Sequence, residues 1–267
     1  TWDITYKCNY RCSYCNFNEP GGWMEPEPTV YPGLDTWVEV WRKIYEEYGS
    51  CEIHCAGGEP FVYPNFMDLI EKLSKMHTLE FSTNLHWDPE DFIRRIRPGR
   101  ARIGVSLHPE FVSFETFFEK ALKLKNAGFE VWVNYVAYPP IFNGMQGFRQ
   151  QFEQIGVEMS LLPFKGTYED RKYPEGYTEE EKQYLKKCAG AELWTQKTMN
   201  FAFVKEKRET KSRLCRMGQM YAKIHSNGDV FSCCSKTARK LGNLVAGTFS
   251  LLEEPFLCED DNCPCWK

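Results

Sequence analysis

The sequence has no run of ~18 uninterrupted apolar residues, and no basic-then-apolar stretch opens it. Neither a helical membrane span nor a secretory leader is therefore read from it, and a soluble, cytosolic protein is expected. An excess of positive charge is also missing. Lys and Arg number 33 against 37 Asp and Glu, a formal charge of −4, which argues against a nucleic-acid-binding surface over the whole molecule. The one basic run, "KEKRETKSR" at 205–213, reads as a solvated loop or helix face. Low-complexity tracts are absent. With 42% apolar, 26% charged and 15% aromatic residues, nothing suggests disorder, and the length allows one large α/β domain plus a small appendage. The first residue is Thr and a strand-like run begins at once, so a segment upstream is expected.

What the chain does have is cysteine, twelve in all. Secreted scaffolds stapled by disulfides are short and bridged throughout. Here the cysteines fall mainly into two clusters at opposite ends, with a core-capable stretch between, which favours metal binding in a reducing compartment. Cys51, Cys55 and Cys188 stand outside both clusters and read as small buried hydrophobes.

Hydrophobic periodicity predicts strands at 1–5, 51–58, 78–83, 101–107, 130–137 and 157–163. Between them it predicts helices at 34–49, 64–76, 88–96, 114–127 and 145–155. Six strands separated by helices make a parallel sheet, and right-handed crossovers curl such units into an open or closed barrel. The expected fold class is α/β, a partial (β/α)6 TIM-type barrel over 1–163. In such barrels the chemistry sits at the C-terminal ends of the strands. "CNYRCSYC", "AGGEP", "STN" and "SLHPE" follow the first four strands in turn.

From 164 the pattern changes. A polar, Gly- and Pro-bearing connector precedes a helix that Thr178 is placed to cap, and the connector region is taken as 164–214. Residues 215–267 read as a small cysteine-rich domain: a β-hairpin turning at Asn227-Gly228, then the irregular "CEDDNCPCWK".

The spacing C-x3-C-x2-C of Cys8, Cys12 and Cys15 offers three thiolates where a closed cysteine site uses four. An open metal position marks a catalytic rather than a structural site. A zinc site completed by a distant ligand, or a partial disulfide, is the plainer alternative. With Tyr14 before the last cysteine, the motif resembles the fingerprint of the radical S-adenosylmethionine (SAM) enzymes, and the resemblance extends over about residues 1–163.

That resemblance implies a [4Fe–4S] cluster on Cys8, Cys12 and Cys15, with SAM bound at the open iron and cleaved reductively to a 5′-deoxyadenosyl radical that abstracts a substrate hydrogen. It further implies that Tyr14 lies beside the adenine. Gly57, Gly58, Glu59 and Pro60 match the segment that binds the SAM amino group, where the glycines allow close backbone approach and Glu59 can neutralise the ammonium. Ser82, Asn84, Ser106 and Asn134 match positions that hold ribose or carboxylate, though short polar residues at strand ends also cap helices. His54, His108 and Glu110 are candidates for substrate contact, against the plainer reading of satisfied structural groups.

Cys215, Gly228 and Cys233 form C-x12-G-x4-C, which resembles the auxiliary-cluster domains called SPASM (two clusters) and twitch (one). Too few cysteines remain for two clusters, so one auxiliary [4Fe–4S] cluster is expected. Its candidate ligands are Cys215, Cys233, Cys258, Cys263 and Cys265, and which two of the last three complete it stays open. Cys234 is expected to face away from Cys233 if the strand continues. Structural zinc is the alternative here too. The resemblance implies an enzyme that oxidises or otherwise modifies a peptide or natural product, or dehydrogenates a small aminocyclitol-like molecule. A flavodoxin- or ferredoxin-like reductant is the implied partner, with neither nucleic acid nor membrane. The different-class alternative is a non-catalytic protein holding structural zinc.

Overall fold

The computed structural model describes residues 1–15, 29–189, 209–261 and 263. In chain order the strands and helices are β1 (Trp2–Thr5), α1 (Leu34–Tyr48), β2 (Glu52–Gly57), α2 (Phe66–Leu73), β3 (Thr78–Thr83), α3 (Pro89–Arg95), β4 (Ala101–Leu107), α4 (Phe114–Asn126), β5 (Glu130–Ala137), α5 (Met145–Gln154) and β6 (Glu158–Pro163). These are the six strands and five helices that the periodicity predicts. After them come β7 (Gly166–Tyr168), β8 (Arg171–Tyr173), α6 (Glu179–Ala189), β9 (Leu214–Cys215), β10 (Lys223–Ile224), β11 (Asp229–Phe231), β12 (Lys240–Asn243) and β13 (Phe256–Leu257). The fold is α/β, with mostly parallel strands in the βα alternation of a partial (β/α)6 barrel.

The chain packs as two compact units. One comprises Thr1–Asn9, Met24–Ser82 and Lys207–Lys267; the other comprises Tyr10–Trp23 and Thr83–Glu206. In the first, β1 pairs in parallel with β2, and β2 with β3. All four residues of β1 are buried. Trp2 packs against Trp37 and Trp41 of α1, with ring centroids 4.8 Å and 5.3 Å apart, so a short strand gains a large apolar contact area. Cys55 is fully buried in β2, where burial pushes its thiol up to about 12. Cys51 departs from the expected core position: the strand begins one residue later, and the half-exposed Cys51 thiol lies toward Gly49 O at 3.6 Å.

The C-terminal hairpin belongs to this same unit. β10 and β11 pair antiparallel around Asn227-Gly228 as expected, and β10 also pairs in parallel with β1, aligning Ile224 with Trp2. The buried Asp3 carboxylate meets Lys223 Nζ at 2.6 Å and fixes that edge. The strand ends at Phe231, so the alternation expected to turn Cys234 away from Cys233 does not operate there, and both cysteines are half-buried on the loop beyond.

In the second unit β4, β5 and β6 run parallel, with Ile103, Val105, Val133, Tyr135 and Leu161 in the core beneath α4 and α5. The polar connector holds an unexpected hairpin, β7–β8, turning through Glu169 and Asp170, both at positive φ. Thr178 caps α6 as expected: its hydroxyl accepts from Glu181 N at 3.2 Å, and its own N–H donates to the Glu181 carboxylate at 2.7 Å. Just before it, the buried Tyr177 hydroxyl donates to Ala137 O (2.6 Å) and accepts from Phe164 N (2.9 Å), joining the ends of β5 and β6. Tyr177→Phe leaves both backbone groups without that partner and is expected to cost about 1–3 kcal/mol in chemical denaturation; an unchanged midpoint would contradict this.

Candidate functional site

Many of the candidate residues lie at or beyond the C-terminal ends of strands, while His54 and Asn134 lie within β2 and β5. In the first unit the chain leaves β1 along Tyr6, Lys7 and Cys8, beside the turn that ends β2. Gly58 N donates to Thr5 O at 2.8 Å, and Glu59 N donates to Lys7 O at 2.9 Å. The approach is too close for side chains. A Cβ on Gly57, whose φ is +119°, would overlap the Thr5 carbonyl oxygen, and one on Gly58 would lie 2.6 Å from Tyr6 O and overlap Lys7 O. Glu59 is fully buried, and its Oε1 accepts from Phe61 N at 3.1 Å, capping the short turn that begins at Pro60. The Cys8 thiol lies 3.9 Å from Asn9 Oδ1.

On β2 and β3 of the same unit, His54 is aligned with Glu80. His54 Nε2 is 2.8 Å from Ser82 Oγ, and its Nδ1 is 3.6 Å from Glu80 Oε1. Ser82 and His54, expected in separate roles, are therefore direct partners.

In the second unit Cys12, Ser13, Tyr14 and Cys15 form a turn closed by Cys15 N donating to Cys12 O at 3.1 Å. Cys12 and Tyr14 are buried and Ser13 is exposed. His108, just beyond β4, places Nδ1 2.9 Å from the Tyr14 hydroxyl and 3.4 Å from Cys12 Sγ. Burial pushes the imidazole down to about 4, opposed by the Glu110 carboxylate, so His108 is neutral at physiological pH. Burial also raises the Tyr14 phenol well above its ordinary value, and Cys12 and Glu110 push it the same way. The Tyr14 ring is walled by Tyr138 (5.1 Å) and Phe164 (6.4 Å), which follow β5 and β6. Glu110 bonds Ser13 through both carboxylate oxygens.

Asn84 lies one residue past β3, buried, and its Oδ1 accepts from both His86 N (3.1 Å) and His86 Nδ1 (3.0 Å). Ser106 is aligned with Asn134, and Asn134 with Ser160, giving one polar row across β4, β5 and β6. Sequence reading singled out the first two and missed Ser160. Counting parallel register from Asn134 is the signal that finds it.

In the C-terminal part of the first unit, β9 and β13 pair so that Cys215 opposes Phe256, and Cys258 N donates to Arg213 O at 2.9 Å. Alternation then puts Cys215 and Cys258 on one face of the ribbon. Asp260 accepts from Ser235 and Thr237, bringing the Cys233–Cys234 loop to the segment after Cys258. Cys263 N donates to Thr210 Oγ1 at 2.9 Å. Cys265 lies outside the described residues.

None of the described cysteines forms a disulfide. Among the described residues no three His, Cys, Asp or Glu side chains are grouped to hold a metal ion. The donor set itself fits an iron–sulfur group: three unbridged thiols at C-x3-C-x2-C. Among the described residues no helix is long and apolar enough to cross a membrane.

Curated relatives include GTP 3′,8-cyclase of Hydrogenovibrio crunogenus, 30% identical over 144 residues, which is 51% of this chain and 43% of that one. Another is GTP 3′,8-cyclase of Aquifex aeolicus, 25% identical over 198 residues, 62% of this chain and 57% of that one. The chain thus spans about half the length of the curated relatives it matches. Among solved structures, native anSMEcpe with bound AdoMet superposes with a TM-score of 0.61 at 16% identity, covering 91% of this chain and 77% of that one. Streptococcus suis SuiB bound to the precursor peptide SuiA gives 0.62 at 14%, covering 93% and 63%. These two likenesses concern the fold. Residues 2–109 match the model of the Radical SAM superfamily, and the cysteine loop, the glycine turn and the first four strands all lie within them.

Proposed function

We propose that this chain is an enzyme that cleaves SAM reductively to modify a peptide or other natural product, with residues 1–163 as catalytic barrel, 164–214 as connector and 215–267 as an auxiliary-cluster domain. The observation that carries the reading is the Cys8-x3-Cys12-x2-Cys15 loop with Tyr14, inside residues that match the superfamily. A [4Fe–4S] cluster with SAM, when bound, supplies a 5′-deoxyadenosyl radical that takes a hydrogen atom from substrate.

The chain's residues have assignable parts. Cys8, Cys12 and Cys15 would hold the iron. Gly57 and Gly58 let the turn after β2 lie directly against the Thr5–Lys7 backbone that leads into Cys8, and that turn would carry the groups that meet the amino end of SAM. Tyr14, with Tyr138 and Phe164, forms an aromatic wall suited to a planar base. The aligned Ser106, Asn134 and Ser160 offer hydroxyl and amide groups for ribose or substrate. Cys215, Cys233, Cys258 and Cys263, with Cys265, supply enough thiols for one further cluster, which would serve as an electron acceptor during substrate oxidation.

A second reading is favoured by the sequence relatives: cyclisation of a nucleotide, the reaction named for proteins 25–30% identical over 51–62% of this chain. Anaerobically reconstituted protein is expected to contain about eight irons and to release 5′-deoxyadenosine on reduction with SAM. GTP added as substrate is expected to leave that yield unchanged. GTP-dependent turnover would support the second reading, and colourless, zinc-loaded protein that binds no SAM would overturn both.

A further inference from the structure

The loop that leaves β4 grips the cysteine loop along its length. Phe111 stacks on Tyr10, with centroids 4.7 Å apart and planes 10° from parallel. His108 Nδ1 meets Tyr14 and Cys12. Between them Glu110 spends both carboxylate oxygens on one residue: Oε2 accepts Ser13 N–H at 2.9 Å, and Oε1 accepts the Ser13 hydroxyl at 2.7 Å. Ser13 is one of the two residues inside the Cys12–Cys15 turn, so a group that fixes Ser13 helps to fix the backbone on which both thiols stand.

We propose that Glu110 is a positioning residue for the cysteine loop. Its carboxylate holds Cys12 and Cys15 in a presenting conformation before any metal arrives. Where a metal loop is not preformed, ordering it draws on the binding free energy, and partners that orient metal ligands typically change affinity 10–100-fold when removed. Glu110 and Ser13 are both exposed, which puts the expected effect at the lower end of that range.

The metal-free full chain provides a test that does not need the enzyme reading. Arg11 is exposed and lies just ahead of the turn, so the trypsin cleavage rate at the Arg11–Cys12 bond reports how tightly the loop is held. Glu110→Ala is expected to raise that rate about tenfold, the scale of one hydrogen bond to a charged group lost from the closed loop, and Ser13→Ala less, since it removes only the hydroxyl contact. The double variant should equal Glu110→Ala alone, as one interaction cannot be lost twice. Glu110→Gln, whose amide can still accept from Ser13 N–H and donate to Ser13 Oγ, should restore most of the protection. The unfolding midpoint should not move. An unchanged rate in Glu110→Ala, additive effects in the double variant, or cleavage rising only in proportion to lost global stability would overturn the assignment.

The iron arm of the test rests on the proposed function. Chelator challenge of reconstituted protein should strip iron about tenfold faster from Glu110→Ala than from the parent; equal rates would overturn the assignment for the loaded state. If the parent takes up no iron on this loop, the enzyme reading fails, while the cleavage rates still decide the role of Glu110.

Discussion

Cys12→Ala is expected to abolish 5′-deoxyadenosine formation and to lower the iron content from about eight to about four per chain. Cys12 is buried, its turn is closed by its own carbonyl, and its thiol is the one that faces His108. Removing a single sulfur atom leaves that backbone intact, so the loss should fall on metal binding far more than on folding, with circular dichroism unchanged. Two thiols remain on the loop, which is too few to retain a cluster against competing ligands in solution. Cys51→Ala serves as the control, because Cys51 sits at the entrance of β2 outside both cysteine clusters, and it should keep full iron and full product. A Cys12→Ala protein that retains all its iron and still releases 5′-deoxyadenosine would remove the basis of the proposed function.

The second large effect is expected at the glycine turn. Gly57→Ala meets two penalties at once: a φ of +119°, which a residue with a Cβ adopts at a cost of about 1–3 kcal/mol, and an overlap with the Thr5 carbonyl oxygen. The obstacle is backbone already paired across β1 and β2, so it cannot swing aside as a flexible side chain would. Overpacking of this kind costs about 1–3 kcal/mol more, and a total near 4 kcal/mol is expected in denaturant unfolding of the metal-free protein. The strain also has a functional direction. Relief would come from moving Thr5 to Lys7, the segment that leads directly into Cys8. A companion Gly99→Ala change, at a turn where nothing lies within 4 Å of the added methyl, should be nearly neutral. Equal stability of the Gly57 and Gly99 variants would show that the close approach does not constrain the turn.

Periodicity alone placed the first six strands and the five helices between them to within about three residues. Each of those elements carries its own signal: alternating or continuous apolar runs for strands, and i, i+3, i+4 spacing with recognisable caps such as Asp88 and Ser113 for helices. The β7–β8 hairpin carries none. It turns through Glu169-Asp170, which lacks the glycine that ordinarily announces such a turn. The pairing of β10 with β1 was equally hidden, because it joins positions about 220 residues apart through strands of two and four residues. Of the candidate residues, Cys8, Cys12, Cys15 and the glycine turn were legible through spacing and residue type. The contacts that His108 and Glu110 make with the cysteine loop were not, since a histidine and a glutamate after a strand look alike whether they face solvent or meet another loop.

What the sequence by itself determined is therefore local: the βα alternation, the caps, the hairpin at Asn227-Gly228 and the thiol spacing, each set by a few neighbouring residues and their backbone preferences. What only the tertiary structure decided is which distant groups share a site. Glu110 bonds Ser13, ninety-seven residues away in the chain, His108 meets Cys12 and Tyr14, Ser82 meets His54, and Ser160 joins the row of Ser106 and Asn134. Those partnerships depend on strand register and on the packing of helices over the sheet, and both are set by the summed burial of many apolar side chains rather than by the identity of the polar residues they bring together.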